Sequence, residues 1–265
     1  MRRKQFLLLS FDVEEFDMPL EYAQNISEQE QLQTGYEGLN ALMKIIDGSS
    51  LEATFFTTAN FAQHFPDAIK DISRKHEIAS HTFYHSRFKT EDLAQSKKKL
   101  EEIISKPISG LRMPRMTKVD MKAVFEAGYQ YDSSINPCFI PGRYNNLKLP
   151  RTPFHEGNVL RFPVSVSPVF RLPLFWLSFK NFPYSFYLRL VKQALKKDGY
   201  VCLYFHPWEF IPLNAYKIPG YTKRLSGEGL QGRLMKLIND LKPHGDFISM
   251  RKYIGYMQEI LATKK

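Results

Sequence analysis

Phe6-Leu-Leu-Leu-Ser-Phe11, followed at once by Asp12-Val-Glu14-Glu15, is the stretch that decides the fold of this chain. An apolar run bounded by polar residues predicts a buried strand. In parallel α/β folds the carboxyl ends of such strands form the face where chemistry is placed, and charged side chains there are hard to explain as structure. We therefore expect Asp12 and Glu14 to belong to a functional site.

Helical and strand patterns alternate along the rest of the chain. They predict helices at 29–46, 62–75, 91–105, 121–127, 187–197 and 230–241, and strands at 51–57, 77–81, 110–113, 129–132, 160–165, 200–205 and 246–249. This alternation implies a parallel sheet with right-handed crossovers. Because no glycine-rich phosphate turn follows the first strand, a closed, irregular (β/α) barrel of about seven strands, related to the TIM barrel, is favoured over a doubly wound sheet.

Length and composition are those of a globular enzyme-sized unit. A chain of 265 residues can bury a full core, and we expect residues 1–265 to form a single domain. The aromatic share of 14% predicts ring-lined surfaces such as those of sugar-binding clefts. Cys138 and Cys202 lack metal or redox spacing, so we interpret both as buried thiols in a reducing compartment rather than as a disulfide.

The termini and the charge bear on location and partners. The first nine residues begin like a signal peptide, but Asp12 and Glu14 interrupt the pattern before a hydrophobic region of normal length. Since no apolar segment reaches 18 residues, we expect a cytoplasmic protein. The formal charge of +10 could attract nucleic acid, yet Lys97-Lys-Lys99 fits the solvated face of a helix and no nucleic-acid motif is present. We therefore expect no nucleic-acid partner.

The segment 170–190 mixes aromatic and aliphatic residues with a few cations. The favoured interpretation is a loop and helix that pack on the core or on another copy of the chain in a homo-oligomer. The minor hypothesis is peripheral contact with the inner face of a membrane. The irregular section 137–183, which contains most of this segment, is the expected specificity region.

Two histidines four residues apart, His81 and His85, follow the strand-like run that begins at Glu77. Such pairs arise often by chance, and most histidines are simply hydrogen-bonded or exposed. Their place at a strand end gives them more weight. Two imidazoles and one carboxylate hold catalytic zinc with a position left open for water, and a spare carboxylate could activate that water.

Two further strands end in reactive side chains. Arg112 lies in the run Leu111-Arg-Met-Pro114-Arg115, and His206 lies in Tyr204-Phe-His-Pro-Trp208-Glu209. Each alone could equally be a surface charge or a core histidine. Polar side chains at the ends of four strands in one chain nevertheless predict that they line one shared cleft.

These motifs, taken in order, resemble those of the polysaccharide deacetylases of the NodB-homology type, carbohydrate esterase family 4. The resemblance runs through nearly the whole chain. The parts that match are Asp12-Val-Glu14, the strand Ala53-Thr-Phe-Phe-Thr57, His81-Thr-Phe-Tyr-His85, Leu111-Arg-Met-Pro114 and Leu203-Tyr-Phe-His206. It implies a NodB-like deformed (β/α) barrel and metal-dependent removal of an acyl group from an N-acylated amino sugar.

The resemblance also implies residue roles. Asp12 would be the general base, and His206 the general acid. Glu14, His81 and His85 would hold a divalent metal ion, with zinc as the first choice.

Further roles follow from the same resemblance. Arg112 would hold and tune Asp12, and Asp132, in a looser match, would orient His206. Pro114, Arg115 and Trp208 would contact the substrate.

Departures from the family pattern leave alternatives open. The family more often has Asp at the position of Glu14, so Glu15 or Asp17 could compete as the metal carboxylate. The Pro-Trp-Glu sequence after His206 and the aromatic section 162–187 differ from the enzymes that act on wall polymers. The substrate could therefore be a poly- or oligosaccharide or a lipid-linked sugar. The chain could also be a cytosolic amidohydrolase for a small cyclic amide, or a glycan-binding relative without turnover.

Overall fold

Strands and helices alternate as expected in the computed structural model, which describes residues 4–262. The strands in this range are β1 (Phe6–Val13), β2 (Thr54–Thr57), β3 (Glu77–Ser80), β4 (Gly110–Leu111), β5 (Tyr131–Asp132), β6 (Phe139–Ile140), β7 (Tyr144–Asn145), β8 (Phe154–Glu156), β9 (Val159–Arg161), β10 (Tyr200–Phe205) and β11 (Asp246–Phe247). The α-helices are α1 (Glu28–Asp47), α2 (Ala59–His64), α3 (Pro66–Ser73), α4 (Asp92–Ile104), α5 (Met121–Glu126), α6 (Trp176–Asn181), α7 (Tyr184–Asp198), α8 (Gly220–Lys223), α9 (Glu228–Leu241) and α10 (Met250–Ala262).

Seven parallel strands form one curled sheet in the order β10-β1-β2-β3-β4-β5-β9. Strand β8 adds to β9 in antiparallel orientation, and β11 pairs with the start of β1. The strand ladder is interrupted between β9 and β10. There the Ser165 N–H donates to the Cys202 carbonyl at 2.9 Å, and Ser165 Oγ accepts from the Cys202 N–H at 2.8 Å. The barrel-like fold is confirmed, but the expected full closure is wrong, because the sheet is a half-barrel whose gap is spanned by Ser165.

Strand β1 is the centre of the core. All eight of its residues are buried, and it pairs with β10 on one side and β2 on the other. Burial of a large apolar side chain contributes roughly 1.5–3 kcal/mol, so the apolar residues of this strand stabilise the fold substantially. One hydrophobic cluster extends from Phe6 to Tyr253. That the chain forms a single domain stays a prediction, which this continuous cluster supports.

The predicted helix 62–75 is wrong in one respect, because the segment forms two helices. α2 begins earlier, at Ala59, and ends at His64, and α3 begins at Pro66. Between them, Phe65 has φ −129° and ψ 56°, outside the helical region. The ring of a proline disfavours helical geometry in the residue before it, so Pro66 separates the two helices.

The strand predicted over 246–249 is present in its first two residues as β11, and the helix that follows it, α10, was not predicted. The N–H groups of its first turn are satisfied from other strands of the sheet. Met250 N–H donates to Thr54 Oγ1 at 2.9 Å, and Arg251 N–H donates to Glu77 Oε2 at 2.9 Å. These two capping side chains lie on β2 and β3, far away in the sequence, and the one local cap is Ser249, whose Oγ accepts from the Lys252 N–H at 3.4 Å.

The aromatic segment 170–190 packs mainly on the core, which confirms the favoured interpretation. Phe175, Trp176, Phe179 and Tyr187 are all buried. Within residues 4–262, no helix has both the length and the apolar character that crossing a membrane requires. Met1, Arg2 and Arg3, which open the signal-like stretch, lie outside the described residues.

Both cysteines are buried free thiols, as expected. Burial in apolar surroundings raises the pKa of Cys202 to about 11, which keeps this group protonated at neutral pH.

Candidate active site

Three side chains that follow β1 and β3, the strands on either side of β2, converge on one point. Glu14 follows β1 directly, and His81 and His85 follow β3. Glu14 Oε2 lies 3.1 Å from His81 Nε2 and 3.2 Å from His85 Nε2. One ligand atom from each of the three lies within 4.8 Å of the other two. We call this group the Glu-His-His cluster.

The cluster fits a tetrahedral divalent cation. Atoms that bind such an ion at 2.0–2.1 Å lie about 3.3 Å apart, close to the contacts just given. The His81 Nδ1 atom is 2.8 Å from the Arg112 carbonyl oxygen, and His85 Nδ1 is 2.8 Å from Asp17 Oδ1. Partners of this kind hold the proton on Nδ1 and leave the Nε2 lone pair for a metal ion. Glu14, His81 and His85 therefore meet as a candidate metal site, as predicted.

The negative charge of the Glu-His-His cluster favours binding of a cation or of a proton. Burial raises the pKa of Glu14, but the nearby histidines, His85 first, hold it well below its usual value. For His85, burial lowers the pKa, whereas the charge of Glu14 and the contact with Asp17 raise it, with a net result of about 9. The carboxylate is thus ionised and acts as one centre of negative charge between two imidazoles.

Glu15 and Asp17, the alternative candidates for the metal-binding carboxylate, have other partners. Glu15 accepts hydrogen bonds from Thr58 Oγ1 at 2.8 Å and from Asn60 Nδ2 at 2.6 Å, both near the start of α2. Asp17 contacts the remote nitrogen of His85 and pairs with Arg115. Glu14 is therefore the carboxylate that faces both imidazoles.

Arg112 and Asp12 form a buried ion pair next to the cluster. Arg112 Nη1 donates to Asp12 Oδ1 at 2.6 Å and to Ser10 Oγ at 3.0 Å. The same guanidinium donates to the carbonyl and hydroxyl of Ser133 and lies 4.1 Å from the ring centroid of Phe56. The predicted contact between Arg112 and Asp12 is present, and the guanidinium is fixed by partners on several sides.

His206 lies at the end of β10 and reaches the same cavity. Its Nδ1 atom is 3.0 Å from Glu209 Oε1, which leaves Nε2 as the nitrogen turned away from that carboxylate. The ring stacks on Trp208, with centroids 4.8 Å apart, and meets Trp176 edge to face. Burial lowers the pKa of His206, but the charge of Glu14 and the hydrogen bond with Glu209 raise it above its usual value.

Asp132 does not orient His206, so this prediction is wrong. Its carboxylate pairs with Arg161 Nε at 2.9 Å on the neighbouring strand β9. It also accepts hydrogen bonds from the hydroxyl and the N–H of Ser134. Glu209 occupies Nδ1 of His206 instead. The sequence offered a signal for Glu209, since it lies three residues after His206 in a proline-initiated turn and forms a capping box there.

The predicted substrate-binding residues differ in their surroundings. Arg115 binds both oxygens of Asp17, donates to Glu21 Oε1 at 2.7 Å and donates to the His85 carbonyl at 3.1 Å, so it ties two loops together. It does so with a φ of 54°, in the left-handed region. Trp208 lines the cavity and donates to Glu14, whereas Pro114 is buried and lies outside the cavity lining. The substrate contact of Pro114 stays a prediction, which its place outside the cavity lining does not support.

A cavity of about 310 Å³ opens over the cluster. Asp12 and His206 lie in its lining together with the three cluster residues. Aromatic rings form much of the remaining wall, and such rings provide flat apolar faces with polar edges. They are Tyr22, Tyr144, Phe175, Trp176, Tyr204, Trp208 and Tyr221.

Comparisons with known proteins point to one family. Residues 33–131 match the model of the family described as Polysaccharide deacetylase. Among curated proteins no match was found.

Solved structures of similar fold cover nearly the whole chain. A putative polysaccharide deacetylase from Mycobacterium smegmatis is 19% identical, with a TM-score of 0.67 over 97% of this chain and 91% of that one. A probable polysaccharide deacetylase from Pseudomonas aeruginosa PAO1 is 16% identical, with a TM-score of 0.66 over 94% and 90%. The Puue allantoinase is 16% identical, with a TM-score of 0.63 over 95% and 89%. At these identities the likeness shows the fold.

Proposed function

We propose that this chain removes an N-acyl group, in the first place acetyl, from an amino sugar with the help of a bound metal ion, and the match of residues 33–131 to the polysaccharide deacetylase model supports this. The observation that carries the proposal is the meeting of five side chains around one cavity. They are Asp12, Glu14, His81, His85 and His206.

Zinc is the proposed metal, held by Glu14 Oε2, His81 Nε2 and His85 Nε2. Two imidazoles and one carboxylate are a donor set that zinc uses in catalytic sites. When bound, the ion would polarise the acyl carbonyl and make a neutral-pH hydroxide accessible.

The proton transfers fall to Asp12 and His206. Hydrolysis adds the oxygen of a water molecule to the acyl carbon and breaks the bond from that carbon to nitrogen. Asp12, fixed by Arg112, accepts a proton from the water. His206 delivers a proton from Nε2 to the nitrogen, which leaves as a free amine. An amine leaves poorly without that proton, and general acid–base help of this kind contributes roughly 10² to 10⁴ in rate.

Release of acetate from N-acetylglucosamine oligomers and from a lipid-linked N-acetyl amino sugar tests the proposal. We expect turnover on at least one of them by the zinc-loaded protein, and its collapse in Asp12→Asn with metal content unchanged. A folded, fully metal-loaded protein that releases acid from no N-acylated amino sugar would disprove the proposed activity.

Hydrolysis of a small cyclic amide is the second candidate. The cavity of about 310 Å³ admits a molecule of that size, and one protein of similar fold is an allantoinase. Turnover of allantoin or a cyclic imide, with none of the amino sugars, would favour it. If Asp12→Asn leaves the biological role of the protein unchanged, the remaining alternative, a glycan-binding relative without turnover, gains support.

The proposal extends to partners and location. We propose a cytoplasmic protein whose substrate is a carbohydrate or a lipid-linked sugar, with peripheral contact at the inner face of the membrane. Val169 and Phe170 support the membrane contact, because they are 78% and 80% exposed in a chain of net charge +10. Co-sedimentation with anionic vesicles, reduced in Phe170→Ser, tests this part, and sedimentation analysis without lipid tests for a homo-oligomer.

A further inference from the structure

A buried lysine lies behind the candidate acid His206. Lys180 on α6 and Glu209 both have fully buried side chains, and Lys180 Nζ lies 2.7 Å from Glu209 Oε2. Removing two charges from water carries a penalty of several kcal/mol per ion, and apolar side chains of similar size often stabilise a core as well. Stability is therefore a weak explanation for this pair.

The carboxylate of Glu209 connects Lys180 to a residue that lines the cavity, His206. Glu209 places Oε1 3.0 Å from His206 Nδ1, and the same oxygen accepts from the His206 N–H at 2.8 Å. Its other oxygen meets Lys180, whose Nζ also donates to the Thr222 carbonyl at 2.7 Å. Thr222 and His206 both line the cavity. A continuous chain of contacts thus runs from α8 through Lys180 and Glu209 to the His206 ring.

A second contact links the same lysine to the same ring. Lys180 Nζ lies 5.1 Å from the ring centroid of Trp176, within the range of a cation–π interaction. Trp176 in turn meets His206 edge to face, with centroids 5.0 Å apart and planes at 88°. The ammonium group therefore braces both the carboxylate and the indole that contact the imidazole.

We propose that Lys180 is a positioning residue, which holds Glu209 ionised and aimed at His206 Nδ1 so that the imidazole presents a protonated Nε2 to the leaving amine. The inference rests on the proposed function, because it assigns Lys180 a part in proton delivery. Without the ammonium group, Glu209 would be a buried carboxylate with one counter-charge fewer, which favours its neutral form. A neutral Glu209 carries no negative charge to stabilise the imidazolium.

Variants of Lys180 give kinetic tests. In Lys180→Met we expect kcat to fall about 10- to 100-fold, a part of the whole general-acid contribution, with KM and metal content unchanged. Lys180→Gln, which keeps polar contacts but not the charge, should behave alike and serves if Lys180→Met does not fold. The double variant with Glu209→Gln should be no slower than Glu209→Gln alone, because Lys180 acts through Glu209. Lys236→Met, which breaks an exposed ion pair on α9, is the matched control and should leave kcat unchanged.

The pH profile separates positioning from a merely structural role. Loss of negative charge at Glu209 lowers the proton affinity of His206, so the alkaline limb of kcat should move to lower pH in both lysine variants. The groups that face or act on the His206 ring are Glu209 of its own turn, Asp12 in β1, Glu14 directly after it, Tyr204 on β10 and, through Glu209, Lys180 on α6. The two variants replace only Lys180 among these groups. A folded Lys180→Met protein with unchanged kcat and pH profile would overturn the proposal.

A readout without turnover keeps the two proposals separable. Nitrogen NMR of histidine-labelled protein, assigned with His206→Ala, reports which ring nitrogen of His206 carries a proton. We expect the proton on Nδ1 to be firmly held in the unaltered protein and the tautomers to mix in Lys180→Met. If no substrate is turned over but the NMR change occurs, the proposed function fails and the positioning of His206 stands. If turnover is found and the ring is unaffected by Lys180→Met, the positioning proposal fails alone.

Discussion

Trp208 Nε1 donates to Glu14 Oε1 at 3.0 Å, while the other oxygen of the same carboxylate faces the two imidazoles. The indole therefore fixes Glu14 so that a single oxygen, Oε2, points at the candidate metal position. Trp208 was predicted to contact substrate, and its buried indole also orients the candidate metal ligand Glu14.

Replacing Trp208 by Phe should weaken metal binding without unfolding the protein. The ring would still pack on Phe16 and His206, but the donor to Glu14 would be gone. Loss of such an outer partner typically lowers metal affinity about 10- to 100-fold. Competition with a chromophoric chelator measures this change. Trp176→Phe is the matched control, and equal zinc affinity in the two variants would contradict the role given to the Trp208 N–H.

Metal content should depend on Glu14 and His81 but not on Glu15. Glu14→Ala and His81→Ala each remove one of the three ligand atoms, so the purified proteins should carry little zinc. Glu15→Gln keeps acceptor and shape next to Thr58 and Asn60 and should retain the full complement. Elemental analysis of the three proteins decides the matter. A full complement in the two alanine variants would show that the ligands are misassigned.

Zinc affinity should rise with pH. The pKa of His85 is raised to about 9 from its usual 6.5, because burial, which lowers it, is outweighed by Glu14 and Asp17. A proton on Nε2 competes with the metal ion, so between pH 6.5 and about 9 affinity should increase by up to about tenfold for each pH unit and then level off. Asp17→Asn removes one of the charges that raise this pKa and should move the rise to lower pH. Zinc titrations at several pH values measure this dependence. An affinity that does not change with pH would show that no proton on His85 Nε2 competes with the metal ion.

Arg112 should matter more for stability than Asp12 does. Arg112→Met leaves the buried carboxylate of Asp12 without its counter-charge, and breaking a buried pair in this way costs about 3–5 kcal/mol. Asp12→Asn keeps a hydrogen-bond acceptor for the guanidinium and should unfold at a urea concentration nearer that of the unaltered protein.

The double variant supplies the control for that comparison. Once the carboxylate is neutral, Arg112→Met removes less, so the two changes should not be additive. Strict additivity in urea unfolding would mean that the two side chains do not depend on each other for stability.

The parts of this fold that local sequence determines were predictable. β1 begins as a single apolar run, and the polar residues at its end mark the site, since the parallel strands β1, β2 and β3 bring their carboxyl ends to the same edge of the sheet. The contacts of Glu14 with His81 and His85 follow from that arrangement. By contrast, Lys180 meets Glu209 only because α6 folds back over β10, and nothing in the sequence around either residue indicates it.

The remaining errors have physical causes of the same kind. Asp132 was placed by a loose motif match, but a buried carboxylate pairs with the nearest cation, and Arg161 lies on the adjacent strand. The first N–H groups of α10 donate to Thr54 and Glu77, whose closeness depends on tertiary structure, and the local cap Ser249 alone did not outweigh the strand pattern before it. The break at Pro66 did have a local signal, which the continuous helical pattern outweighed.

Ser165 joins the two edges of the sheet with one backbone and one side-chain hydrogen bond, where a full ladder would have several. The wall on one side of this seam carries the β6–β7 hairpin, and α6 and α7 precede the strand on the other. Because neither insert takes part in the pairing of β1, β2 and β3, a change in the length of either leaves the register of those strands intact. The groups around the candidate metal position therefore do not depend on these inserts, whereas His206, contacted by Trp176 and through Glu209 by Lys180 of α6, does, so a new acceptor molecule would be accommodated with least change to the catalytic groups through the β6–β7 hairpin.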